Sequence, residues 1–222
     1  MAGNIIWNSC NLFHVEPGLL NYNHLVIVIG PSGAGKDSLI AGARLALSNN
    51  PTFYFTSREI TRPTSAGGES HIAVSVEEFL RRRDSGVYAV CWHAHDTWYG
   101  INRSIADQLA DGKVVVFNGS RDAIGQARKR FPGVKIVYIS APDAVLAKRL
   151  AARGRESTTE VRERMTRNEQ LKSIPDGSIV LSNTGSLQQT LDKFIDILQK
   201  TLMDESEPPG DYMDSAHLNH AI

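Results

Sequence analysis

Cysteine is nearly absent from this 222-residue chain. Cys10 and Cys91 are too few for a disulfide framework and lack the paired spacing of a structural zinc site, so a reducing cytosol is the expected setting. Long apolar runs are missing too. The longest, 25–29 and 114–117, fall far short of the roughly 20 residues that cross a bilayer, and no membrane span is expected. Neither sign of charge is in surplus, because 24 Lys and Arg are balanced by 24 Asp and Glu. Neutralising many phosphates of a nucleic acid or an anionic membrane needs a cation excess, so both partner classes are disfavoured. Residues 1–23 contain no Lys or Arg, hence neither the basic start of a secretory signal nor the Arg bias of a transit peptide; they are expected to be an N-terminal extension. What remains, 41% hydrophobic and 22% charged, is ordinary for a globular α/β domain.

Short β-branched runs alternate with helical patterns, the order that builds a parallel sheet with crossover helices. Core strands are expected at 25–29, 53–57, 114–118, 135–140 and 178–181, and helices at 36–47, 103–110, 121–130, 143–153, 159–172 and 187–202. The fold class is therefore α/β, a five-stranded parallel core sheet flanked by helices. Ligands of such open sheets bind at the carboxyl ends of the strands, which directs attention to the loops after Ile29, Ser57, Asn118 and Ser140. Residues 59–101 break the alternation with a Pro/Ser/Gly-rich loop, a short strand at 71–75, a helix at 76–83 and another extended run, and read as an inserted subdomain. Ser75 and Glu78 form the capping-box pattern that starts that helix. Residues 151–158 interrupt two Arg-rich helices and suit a mobile lid. Residues 203–222 hold five acids, no Lys or Arg and a Pro-Pro-Gly, and are expected to be a disordered tail.

The sharpest motif follows the first core strand: Gly30, Pro31, Ser32, Gly33, Ala34, Gly35, Lys36, Asp37, Ser38. It matches the first seven positions of the G-x4-G-K-[ST] phosphate loop, in the required context of strand before and helix after. Its glycines let backbone N–H groups turn toward phosphates, the helix presents its N-terminus, and Lys36 supplies a point charge. Asp37 stands where Ser or Thr ordinarily ligates Mg²⁺ through a hydroxyl. A carboxylate is itself a hard oxygen ligand, so Asp37 is expected to take the metal directly or through water, with Ser38 as a spare hydroxyl. The strand at 114–118 ends in Asn118 where phosphate-loop enzymes often carry a metal-directed Asp, and Asp37 restores the missing negative charge.

Together with this loop, Ile60-Thr61-Arg62, Gly68-Glu69, Val74-Ser75 with Glu78-Phe79, Tyr99-Gly100 and the 149–155 segment resemble the guanylate kinase superfamily in content and order. The finer wording, GPSGAGKDSL, ITR-x-x-SAG-x-E-x-HIA-x-S-x-x-EF, WHA-x-x-x-x-YG, NGSR and RL-x-x-RGRE, is similar to its ribose 1,5-bisphosphate phosphokinase branch. That resemblance implies ATP and Mg²⁺, a sugar bisphosphate acceptor, and 5-phosphoribosyl 1-diphosphate as product in phosphonate catabolism; Asp after the loop lysine is the usual residue there. The alternatives are guanylate kinase and a catalytically inactive interaction domain of the same fold. Against GMP, no carboxylate suited to reading guanine precedes Tyr99, Asp96 being too close, and Ile101 stands where a hydroxyl would be. Thr64 and Ser65 replace the second basic residue after Thr-Arg, and a phosphate-binding tyrosine is missing near His71. A site lacking its base readers loses orders of magnitude.

Transfer onto a phosphate is a matter of alignment and charge neutralisation, and the 16 Arg against 8 Lys suit bidentate phosphate binding. The expected catalytic set is Lys36, Arg149, Arg153 and Arg155, with Arg164 and Arg167 as further candidates on a helix whose arginines are more often simply solvated. The expected acceptor set is Arg62, Glu69, His71, His93, Tyr99, Asn118, Ser120 and Arg121. His93 and His95 would share a strand face, but no further ligand supports a metal there. Net neutrality hides a cationic 148–167 segment, seven Lys and Arg against three Glu, and the acidic tail.

Overall fold

The computed structural model describes residues 6–7, 13–14, 22–64, 71–152 and 173–204. Residues 153–158 of the expected lid, the helix at 159–172, most of the N-terminal extension, the loop containing Glu69 and nearly all of the acidic tail lie outside the described residues.

Two short strands, β1 (Ile6–Trp7) and β2 (Phe13–His14), pair antiparallel. The core sheet is built from β3 (Leu25–Ile29), β4 (Phe53–Phe55), β9 (Val114–Asn118), β10 (Lys135–Ser140) and β11 (Ile179–Ser182). Every pairing in it is parallel and the order is β11-β10-β3-β9-β4. β3 and β9 are buried along their whole length, which is why they read as unbroken apolar runs. Register sets Val28 beside Asn118 and Ile29 beside Tyr138, aligning the carboxyl ends of three adjacent strands.

Alternate residues of β3 feed two apolar layers. Val26 and Val28 face the layer that holds α1 (Lys36–Ala46) and α6 (Leu187–Leu202), which pack on each other; α6 starts with a capping box from Ser186 and Gln189 and buries Phe194 and Leu198. Leu25, Ile27 and Ile29 face the other layer, with α3 (Ile105–Ala110), α4 (Arg121–Arg130) and the inner residues of a second sheet. Helix α5 (Asp143–Ala152) follows β10.

The break in alternation is that second sheet, in the order β6-β5-β8-β7, formed by β5 (Glu59–Ile60), β6 (Ile72–Ala73), β7 (Tyr88–Ala94) and β8 (Thr97–Asn102), with α2 (Val76–Asp84) on it. Ser75 Oγ accepts from the Glu78 N–H at 3.1 Å, half of the expected capping box, while the Glu78 carboxylate accepts from Arg81 and Arg82. The strand expected at 71–75 shrinks to two residues, and the further extended run resolves into the β7–β8 hairpin. Its turn residues His95 and Asp96 have φ of +52° and +53°, so β7 stops at Ala94 and the expectation that His93 and His95 share a strand face fails. Ala89, Val90, Trp92 and Ile101 join the same apolar layer as β3, so the two sheets share a core.

Candidate active site

β3 ends at Ile29 and α1 begins at Lys36, leaving 30–35 as the turn between the central strand and a helix N-terminus. Gly30, at φ +148°, lies against β10 so closely that a Cβ would run into the Ile139 carbonyl oxygen. Gly35, at φ +94°, is the N-cap of α1, and a Cβ there would meet the Asn183 amide. Lys36 Nζ donates to the carbonyls of Gly30 at 2.8 Å and Pro31 at 3.0 Å. The Ala34 carbonyl accepts from Asn183 Nδ2 at 2.7 Å and Arg149 Nη1 at 3.5 Å. Asn183 is itself fixed, accepting from Thr190 Oγ1 at 3.1 Å and donating its backbone N–H to the Ser140 carbonyl at 2.7 Å. Arg149 is thus brought from α5 onto the loop.

Asp37 is the second residue of α1, where a negative side chain is favoured by the helix N-terminus. Its Oδ1 accepts from Asn118 Nδ2 at 2.7 Å, joining the two residues that the sequence linked through charge. Asn118 is buried at the end of β9, Asp37 is half-buried, and Ser38 is exposed. Ser120 caps α4 by accepting from the Asp122 N–H at 3.2 Å. Arg121 stacks over Tyr138 at 5.5 Å and donates Nη2 to its hydroxyl at 3.3 Å, while its buried Nε makes no hydrogen bond among the described residues.

In the second sheet, Ile60 pairs with Tyr99, so the strand that leads into Arg62 lies beside the tyrosine. Tyr99 stacks on buried Trp92 with centroids 5.2 Å apart, and the Arg58 guanidinium lies 5.0 Å from its ring centre. His71 is buried and its Nε2, as N–H, donates to the Arg62 carbonyl at 3.0 Å. A groove of about 410 Å³ opens along Thr61, Arg62, Pro63 and residues 73–76. His93 stands apart, exposed, with its ring 4.7 Å from that of Trp98. Glu69, Arg153, Arg155, Arg164 and Arg167 lie outside the described residues.

Three functional neighbours were not named from the sequence. Asn183 could have been: it follows the last core strand, and the rule that ligands gather at carboxyl ends applies there as it does after the other four. Arg58 and Glu59 carry no such signal. Glu59 is buried on β5, accepting from the Tyr88 hydroxyl at 2.7 Å and from Arg82 Nη1 at 2.9 Å. Burial, reinforced by this carboxylate, pushes the Tyr88 phenol well above its usual range. Hydrogen bonds from Arg81 and Arg82 hold the Glu78 carboxyl down at about 2.

The guanylate kinase family profile matches residues 22–204. Over 171 residues the chain is 46% identical to a ribose 1,5-bisphosphate phosphokinase of Laribacter hongkongensis, covering 77% of this chain but only 41% of that protein. A ribose 1,5-bisphosphate phosphokinase of Agrobacterium fabrum is 40% identical over 177 residues, covering 80% of this chain and 97% of the relative. Among solved structures, a guanylate kinase from Anaplasma phagocytophilum superposes with a TM-score of 0.57 at 18% identity, covering 82% of this chain and 88% of that one, a likeness of fold. The chain belongs to the guanylate kinase family and, within it, to the ribose 1,5-bisphosphate phosphokinases.

Proposed function

We propose that this chain transfers the γ-phosphoryl group of ATP to the 1-phosphate of ribose 1,5-bisphosphate, forming 5-phosphoribosyl 1-diphosphate and ADP. The observation that carries this reading is the 40% identity to the Agrobacterium phosphokinase over 97% of its length. The bond from the γ-phosphorus to its bridging oxygen breaks, and one to an oxygen of the acceptor phosphate forms. A phosphate monoester has its second pKa near 6, so the acceptor is largely dianionic at neutral pH and needs no strong general base. Positioning and charge neutralisation are what the protein has to supply.

The backbone of 30–35 and the N-terminus of α1 cradle the donor phosphates, and Lys36 turns from the Gly30 and Pro31 carbonyls to their oxygens. Arg149, anchored at Ala34, closes over the transferring group, joined by Arg153 and Arg155 from the residues that follow. Asp37 offers Oδ2, which makes no hydrogen bond among the described residues, as the oxygen ligand a hard cation prefers, and Ser38 adds a hydroxyl nearby. Mg²⁺ held there supplies charge neutralisation to the donor phosphates. Arg62, Glu69 and Tyr99 take the acceptor, His71 fixes the Arg62 backbone, and Arg121 reaches from α4. Ser120 serves as the cap of α4.

Ile101 is fully buried, with no polar group to offer a guanine edge. Offering the protein Mg·ATP with ribose 1,5-bisphosphate or with GMP, and following phosphorus resonances, tests the reading. A new diphosphate is expected with the sugar and at most a trace with GMP; no turnover with the sugar would sink it.

A further inference from the structure

Phosphate-loop enzymes commonly divide their metal-directed groups between a loop hydroxyl and a strand-end aspartate. Here the loop carries the carboxylate and the strand end carries an amide, and the two touch: Asn118 Nδ2 lies 2.7 Å from Asp37 Oδ1. We infer that Asp37 and Asn118 form one metal-directed unit with its charge exchanged between helix and strand, in which Asn118 is a positioning residue that aims the carboxylate.

Asn118 is 6% exposed and belongs to β9, a strand buried along its length, with its Gly119 neighbour donating to the Val28 carbonyl at 2.9 Å. The backbone that carries the amide is therefore fixed by the sheet. Asp37 sits on the first turn of α1, where two single bonds would let its carboxylate turn freely. Donation from Asn118 occupies Oδ1 and leaves Oδ2 for a cation. An amide is required for this: a second carboxylate at 2.7 Å would put like charges in contact and raise the proton affinity of the pair. The two positions are thus complementary, one anion and one donor, and the complement should survive exchange of the two roles. Positioning groups of this kind typically change metal affinity by about 10–100-fold when removed.

The inference rests on the nucleotide-site reading above, and the experiment separates the two. ATP binding to the full chain is measured by calorimetry with and without Mn²⁺, whose paramagnetic resonance reports bound metal directly. Failure of the wild-type protein to bind Mn·ATP would strike the nucleotide-site reading itself. Given wild-type binding, Asp37→Ser is expected to lose at least about tenfold of the enhancement by Mn²⁺, taken as the ratio of ATP affinities with and without the metal so that any change in metal-free affinity cancels. Adding Asn118→Asp to that variant restores the usual hydroxyl-and-aspartate division and is expected to recover most of the loss. An exchanged variant no better than Asp37→Ser, or an Asp37→Ser protein with full enhancement, overturns the inference. Should the exchanged variant not bind metal-free ATP, Asn118→Ala decides instead: a loss of about tenfold in the Mn²⁺ enhancement supports the unit, and no loss contradicts it.

Discussion

Lys36 holds its ammonium on the Gly30 and Pro31 carbonyls and turns from them to the donor phosphates, so its bonds tie the loop to itself and not to the core. Lys36→Ala is expected to lower turnover by about 10²-fold or more, the usual cost of deleting one charge-stabilising donor, with a urea midpoint little changed. Gly30 behaves in the opposite way. A Cβ at φ +148° meets the Ile139 carbonyl, so Gly30→Ala is expected to cost more than about 1 kcal/mol of stability in urea unfolding as well as ATP affinity. Asn183 combines the two kinds of role, because Asn183→Ala removes the short bond to the Ala34 carbonyl, leaving it only the 3.5 Å contact from Arg149, and removes one of the two acceptors of the Thr190 hydroxyl, which keeps the Ser186 carbonyl. About 1 kcal/mol or more is the expected loss, the cost of weakening buried hydrogen bonds. At this scale the phosphate loop was legible because backbone chemistry forces glycine and lysine into a fixed spacing. Asn183 was less so, since its partners come from residues 140 and 190 as well as from the loop, and one sequence does not display that convergence.

At the scale of elements, α4 is the tie between the sheets. β7 is the edge of the second sheet, and its backbone is met by α4 side chains: Arg130 Nη1 donates to the carbonyls of Tyr88 at 3.2 Å and Ala89 at 2.6 Å, and Gln126 Oε1 accepts from the Cys91 N–H at 2.7 Å. The register of β7 slips between Tyr88 and Val90, at the carbonyls that Arg130 takes. The same helix starts at Arg121, beside the carboxyl end of β10. Arg130→Met keeps the apolar stem while deleting the bonds, and is expected to raise KM for the sugar bisphosphate several-fold with KM for ATP unchanged. Equal changes in both constants would mean that α4 only stabilises the fold. The alternating strand and helix pattern made the core sheet readable to within two residues. The second sheet was less so, because two of its four strands are two residues long and owe their pairing to partners 13 and about 40 positions away rather than to their own periodicity.

For the molecule as a whole, charge and burial give distinct pH windows. His24 is buried beside the Gly112 carbonyl, and burial pushes its imidazole below the ordinary value near 6.5. The unfolded chain then binds the extra proton first, so stability falls as pH drops through about 6.5 toward the lower folded value and is complete above it. Urea midpoints are expected to decline between pH 7.5 and pH 5.5, and His24→Gln to flatten that decline. Glu78 acts lower: with its carboxyl at about 2 against 4.5 when free, its contribution is present above 4.5 and lost on further acidification. The neutral total charge that disfavours a polyanion partner coexists with 16 arginines, several of which the fold gathers near the carboxyl edge and the second sheet.

The most direct test of the central claim is the ratio of kcat/KM for ribose 1,5-bisphosphate to that for GMP, measured with saturating Mg·ATP. A site without guanine-reading partners should favour the sugar by about 10³-fold or more, in line with what unpaired polar groups cost a substrate. A ratio near one, or one favouring GMP, would contradict the account.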